Sequence, residues 1–272
     1  TFAMARGLPG IPALEMTKWF DTNYHYLVPK VETDAAPIAD FAGYLALIER
    51  AVAVLGVRAV PVVLGPFTFL RLAHLGAPLN IELDKLLPLY RELLEALARL
   101  GVTEVQIHDP ALVLSDASAF RDDVERAYAG LAGSGVRMNL VTYFDDLGEA
   151  YPWVVNLPVD LITLDFTRGE ALSLIEKYGW PAGKVLAAGV VDGRSIWRVR
   201  PGTAQGILNR LKALSAFRDP GTLRLSASSS LQHVPHSAAR ETALPEALRN
   251  VLAFADEKLT ELAMLAGGDL AS

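Results

Sequence analysis

The stretch VTEVQIHDP, residues 102–110, is a short run of β-branched and apolar residues that stops abruptly at Asp109–Pro110. Five further runs share this form: VRAVPVVLGP (57–66), VRMNLVTYF (136–144), VDLITLDFT (159–167), VLAAGVVDG (185–193) and TLRLSASSS (222–230). Between them lie segments of helical period. In one, Leu83, Leu86, Leu87, Leu93, Leu94, Leu97 and Leu100 recur at three- and four-residue spacings, with Glu92, Glu95 and Arg99 on the other side. Pro88 interrupts that pattern and predicts a kink or a restart. Nearly continuous apolar strands alternating with amphipathic helices, without an Asn-Gly hairpin signal, predict a parallel sheet covered by helices. A (β/α)8 TIM-type barrel over residues 1–272 accounts best for the number of strands, and a doubly wound sheet is the alternative. Leu14–Phe20 supplies a seventh strand, which places the eighth before Thr1. The strands at Leu14–Phe20 and Leu223–Ser228 are then expected to flank a gap.

The chain of 272 residues is 51% hydrophobic, carries a formal charge of −6 and contains no cysteine. The absence of cysteine excludes a disulfide framework, a thiolate zinc site and a cysteine nucleophile within this chain. The negative charge, with no basic run interleaved by aromatics, argues against nucleic acid as a partner. No apolar run reaches the roughly 18–20 residues needed to cross a bilayer, which argues against a membrane. A cytoplasmic location fits this composition.

Functional groups of such barrels collect where strands end and βα loops begin. The candidates there are Asp109, Asp165, Asp192, Arg194, Ser228 and His233, with Lys18, Asn23 and His25 leaving the first strand. Each has a plainer reading. The three aspartates can close turns or cap helices, and Thr167 with Glu170 has capping-box spacing. His108 beside Asp109 resembles an acid–base pair, but adjacent strand residues point to opposite faces. His233 and His236 lack a third ligand and predict no metal. Lys18, in ALEMTKWFDTNYHYLVP (13–29), can offer an ammonium to an anion with Asn23 and His25 as neutral hydrogen-bonding partners, or it can lay its stem along the neighbouring aromatics.

That segment closely resembles the N-terminal half of cobalamin-independent methionine synthases. The resemblance continues in order through VVLGPFTFL (62–70), LLPLYRELLEAL (86–97), VQIHDPALVL (105–114), NLPVDLITLDFTRG (156–169), GVVDGRSIW (189–197) and SSSLQHVP (228–235). It implies the first of two similar barrels in an enzyme that moves a methyl group from methyltetrahydrofolate polyglutamate to homocysteine. By that resemblance zinc belongs to the C-terminal catalytic barrel and this chain has no cofactor of its own. Lys18 would contact the folate tail, and the partner would be the catalytic barrel. Two departures stand out: His108–Asp109–Pro110 where the family usually has Asp-Glu-Pro, and Ser226–Ser230 where it commonly has a cysteine.

Three functions follow as expectations. The chain is a substrate-tail-binding and bracing half of a methionine synthase, inactive alone. Alternatively it is a stand-alone interaction module for a separate catalytic half. The third reading is a diverged barrel enzyme of the uroporphyrinogen decarboxylase and methyltransferase group, towards which only the His108–Asp109 departure leans.

Overall fold

The computed structural model describes residues 2–33 and 36–267, and Cα proximity divides the chain into two compact bodies. The first contains the residues up to Ala111 together with Phe120–Met138; the second contains Leu112–Ala119 and the residues from Asn139 onward.

In the first body, β1 (Met16–Lys18) and β2 (His25–Leu27) form an antiparallel hairpin with Lys18 opposite His25. β3 (Lys30–Val31) pairs in parallel with β5 (His74–Leu75), and β4 (Val62–Leu64) with β6 (Glu104–His108). The opening stretch is therefore not a stave of the parallel sheet, contrary to the expectation from sequence. The chain turns back because Thr22 organises the loop: its hydroxyl donates to Trp19 O at 2.6 Å and accepts from Tyr24 N at 3.1 Å. Phe20 takes the left-handed conformation, with φ 50°, to complete the turn. Val28 N–H then bonds Glu15 O and zips the base of the hairpin.

Helix Leu79–Arg99 runs through Pro88 without restarting. Pro88 removes one backbone donor and crowds the carbonyl four residues earlier. Both Pro88 and Asp84 lie on the exposed face, where water can satisfy that carbonyl. The opposite face buries Leu83, Leu94 and Leu97 completely, beside Val124, Tyr128 and Leu131 of helix Arg121–Leu131. Each such aliphatic burial is worth about 1.5–3 kcal/mol. Arg91 Nη1 donates to Gly130 O at 2.8 Å, and Arg126 meets Asp84 at 3.2 Å, fastening the two helices at their solvent edge.

In the second body, β7 (Arg137–Val141) from Asn139 onward, β8 (Leu161–Asp165), β9 (Val185–Val191) and β10 (Leu223–Ala227) form a parallel sheet in that order. β8 is buried throughout and β9 in six of its seven residues, as expected of strands covered on both faces. No residue of β10 is buried, and it ends the sheet of this body, in keeping with its expected place at an edge. All six apolar runs expected to be strands are strands. The pair β3–β5 escaped the sequence reading because two-residue strands have no period to detect. Thr167 and Glu170 form no capping box; Thr167 bonds Asp165 instead.

Candidate functional site

The hairpin of the first body carries Lys18, Asn23 and His25, all exposed. Cross-strand pairing holds Lys18 directly beside His25, within about 4.5–5.5 Å between Cβ atoms. Beneath them Trp19 packs edge-on to Phe20 at 5.1 Å and to Tyr26 at 5.8 Å. Tyr26 donates to Leu72 O at 3.0 Å, and His74 meets Glu15 at 2.8 Å. A stiff, aromatic-backed hairpin therefore presents an ammonium, an amide and an imidazole to solvent. That arrangement can receive an anion by charge and orient it by hydrogen bonds.

Asp109, also in the first body, sits at the end of β6 and is wholly buried. It accepts from Thr68 N at 2.6 Å, Thr68 Oγ1 at 2.5 Å and Tyr128 OH at 2.8 Å. The Thr68 hydroxyl in turn accepts from Ala111 N at 2.9 Å. The carboxylate thus ties the helix after β4 (Pro66–Arg71) to the turn after β6. Gly65 is required there, since a Cβ on it would fall inside the Asp109 carboxyl. Burial lifts the Asp109 pKa to about 6 against the pull of its hydrogen bonds. His108 is turned away, 3.2 Å from Gln106 Oε1, and burial lowers its pKa to about 4. The two side chains are thus bonded to different partners, His108 to Gln106 and Asp109 to Thr68 and Tyr128. Of the two readings of Asp109, the geometry matches the turn-closing one.

The second body draws the other candidates together at its strand ends. Asp165 is buried and accepts from Phe144 N at 3.2 Å and from Thr167 N and Oγ1 at 2.8 and 2.7 Å. Burial raises its pKa, these bonds oppose the rise, and the charge of Asp192 adds to it. Asp192 accepts from Arg194 N at 2.8 Å and Ser195 N at 3.1 Å. Ser228 Oγ accepts from Gly193 N at 3.1 Å, and a Cβ on Gly193 would lie 2.5 Å from Ser229 O. The loop consequently lies flat against the serine segment and aims Arg194 over the Phe144 ring at 4.8 Å. His233 meets the same ring at 5.5 Å. Burial, and then Arg194, lower the His233 pKa, which favours the neutral imidazole. His236 turns instead to Asp256, 3.4 Å away. Among the described residues no group of three or more His, Cys, Asp or Glu side chains is placed to hold a metal ion.

The sequence reading placed Thr68 at a strand end but missed Tyr128, Phe144 and Lys258. Phe144 holds a left-handed φ of 82°, fixed by its N–H bond to Asp165. Lys258 is 1% exposed and donates to Trp197 O at 3.2 Å. Burial lowers its pKa against the attraction of Glu261 and Asp192. Glu261, also buried, accepts from Val199 N at 3.1 Å.

These features are a parallel α/β frame, polar groups gathered at strand ends and an exposed lysine hairpin. A parallel α/β frame with polar groups at its strand ends belongs to the class of α/β barrels. Residues 1–216 match the family described as "Cobalamin-independent synthase, N-terminal domain", and the chain belongs to that family. Among the relatives, the 5-methyltetrahydropteroyltriglutamate–homocysteine methyltransferase of Synechococcus sp. (strain JA-2-3B'a(2-13)) is 56% identical over 97% of this chain, which spans 34% of that protein. The protein of the same name from Trichodesmium erythraeum is 52% identical, again over 97% of this chain and 35% of its own length. The chain thus spans about a third of the curated relatives it matches. A B12-independent methionine synthase from Shewanella sp. W3-18-1, solved with selenomethionine, shares the fold at TM-score 0.65 and 16% identity, covering 94% of this chain and 75% of that one. A methyltransferase from Methanosarcina mazei shares it at TM-score 0.55 and 13% identity, covering 80% and 69%. The fold is the α/β, TIM-type barrel class that the strand–helix alternation predicts. No helix among the described residues is long and apolar enough to cross a membrane.

Proposed function

We propose that this chain is the metal-free, N-terminal barrel domain of a cytoplasmic methionine synthase. It binds the glutamate tail of methyltetrahydrofolate and braces a C-terminal barrel in which zinc and the methyl transfer reside. The observation that carries this reading is the 56% identity along 97% of the chain with a pteroyltriglutamate–homocysteine methyltransferase three times as long. A third of such an enzyme, lacking any thiol, functions as a part.

Lys18 supports the tail-binding role. It is exposed, its neighbours His25 and Asn23 are hydrogen-bonding groups, and the aromatic layer beneath fixes its root. A γ-linked carboxylate gains charge attraction there, and the contact weakens with salt. Helix Ala42–Leu55 supports the bracing role. It carries only two charged residues, Glu49 and Arg50, buries only Ile48, and leaves Leu47 52% and Val54 80% exposed. A helix apolar on nearly every side is one made to be covered. An interaction module serving a separately encoded catalytic chain would use the same face.

The test is Lys18→Ala in the full-length polypeptide, with binding of triglutamyl and monoglutamyl methyltetrahydrofolate measured side by side. The triglutamate should lose roughly 1 kcal/mol or more of affinity, as for a charge-assisted contact, and the monoglutamate less. Equal affinities before and after the substitution would remove Lys18 from this role.

A further inference from the structure

We infer that Arg198 and Arg249 form a carboxylate-binding pocket in the second body, built for an anion of one or two amino-acid residues such as a glutamyl group. The pocket has a volume of about 280 Å³ and is lined by both arginines, Asn250, Glu246 and Glu257. That volume lies just below the range of drug-sized ligand pockets, which begins at about 300 Å³, and suits a smaller ligand. The cationic wall is held rigidly. Trp197 and Leu252 form an antiparallel bridge, Arg198 N donates to Val251 O at 3.0 Å, and Ala253 N donates to Ile196 O at 2.8 Å. Lys258 and Glu261 fasten the same strap from the C-terminal helix through Trp197 O and Val199 N. Arg249 ends the helix Glu246–Arg249, and its Nε is buried with no hydrogen-bond partner among the described residues. A buried guanidinium N–H left unmade costs free energy that a carboxylate oxygen would recover.

The acids of the pocket do not fill this role. Glu257 is committed elsewhere: it accepts from Ser237 Oγ at 2.9 Å, from Ala238 N at 3.0 Å and from Phe254 N at 3.0 Å. Glu246 is exposed. Two guanidinium groups and the Asn250 amide thus face one uncommitted carboxylate. Planar guanidinium forks match carboxylates in two-point geometry, which an ammonium cannot do. Arg198 is also felt by Glu261, whose pKa its charge helps to hold down against burial. The carboxylate of the ligand has two sources, the glutamate tail of folate or a free amino-acid-sized acid. Only the first rests on the proposed function.

The test uses the full-length protein with free γ-glutamylglutamate as probe, followed by calorimetry, beside triglutamyl and monoglutamyl methyltetrahydrofolate. Arg249→Met should weaken the dipeptide about tenfold or more, and Arg249→Lys less, because a point charge replaces a fork. Arg198→Met, on the exposed wall, supplies a second variant should Arg249→Met fail to fold. If the preference for triglutamate falls with dipeptide binding, the pocket takes the folate tail. If dipeptide binding falls and that preference stays, the pocket is confirmed for free acids while Lys18 still answers for the tail. Dipeptide binding that is absent from the parent protein, or unmoved by both arginine variants, overturns the inference.

Discussion

Replacing Asp109 by asparagine should make the protein more stable at neutral pH, although it removes a buried carboxyl that accepts hydrogen bonds from Thr68, Tyr128 and the Phe67 backbone. The carboxyl is wholly buried, and its pKa stands at about 6 against an ordinary value of 3.8. The folded state therefore holds this proton more tightly than the unfolded chain does. Stability from the neutral acid is complete below about pH 4 and is lost as pH rises through the window up to about 6. The pKa difference of roughly two, at about 1.4 kcal/mol for each, amounts to about 3 kcal/mol lost by pH 7. Asparagine carries no charge to desolvate. Its carbonyl can accept from Thr68 N and Oγ1 while its amide donates to the Tyr128 hydroxyl, which reverses role. Urea denaturation of both proteins across pH 4.5–7.5, plotted as the difference, cancels the titration of every other group. The difference should grow towards about 3 kcal/mol in favour of Asn as pH rises to 7. A difference flat with pH would refute the reasoning, since Asp109 would then titrate alike folded and unfolded.

Two further predictions concern the second body's charge cluster and the first body's apolar face. Lys258→Met should destabilise by about 3 kcal/mol, because Glu261 and Asp192 lose the buried cation near them, and adding Glu261→Gln should restore part of the loss; thermal melts of the single and double variants check this. Leu47→Glu with Val54→Glu should leave the chain's own melting within about 0.5 kcal/mol while preventing its association with a separately expressed C-terminal half, measured by analytical ultracentrifugation and regained activity.

The sequence disclosed strands more fully than sites, and the reason is physical. A strand buried on both faces writes its burial into consecutive residues, so VDLITLDFT and VLAAGVVDG could be recognised without any partner in view. The hairpin at Met16–Leu27 left no such mark. Its turn is closed by the Thr22 hydroxyl and a left-handed Phe20, neither of which belongs to the Asn-Gly signature. The aspartates at strand ends were visible as a set, because turn-closing and ligand-binding acids occupy the same positions. Which of the two each one serves depends on donors far away in the chain: Thr68 lies 41 residues from Asp109, and Phe144 lies 21 from Asp165. Lys258 was hidden for the opposite reason. Its helix buries Lys258 and Glu261 beside Leu265 and exposes Leu259, 56% accessible, which inverts over one turn the polarity that periodicity reads.

That inversion also says what the second body is organised to hold. A helix that buries a lysine and a glutamate while exposing a leucine gives up apolar burial, worth about 2 kcal/mol for a leucine, and pays desolvation on two charges. What it obtains is position: Lys258 grips Trp197 O and Glu261 grips Val199 N. Those two carbonyl and amide groups flank Arg198 and lie on the strap that begins at Asp192 and aims Arg194 over Phe144. Plain packing does not need such a strap, since a leucine pair would hold the same backbone less specifically. The buried charges therefore fix where the arginines stand. In a body that buries few other charges, Asp165 among them, that expense falls on the segment that carries Arg198.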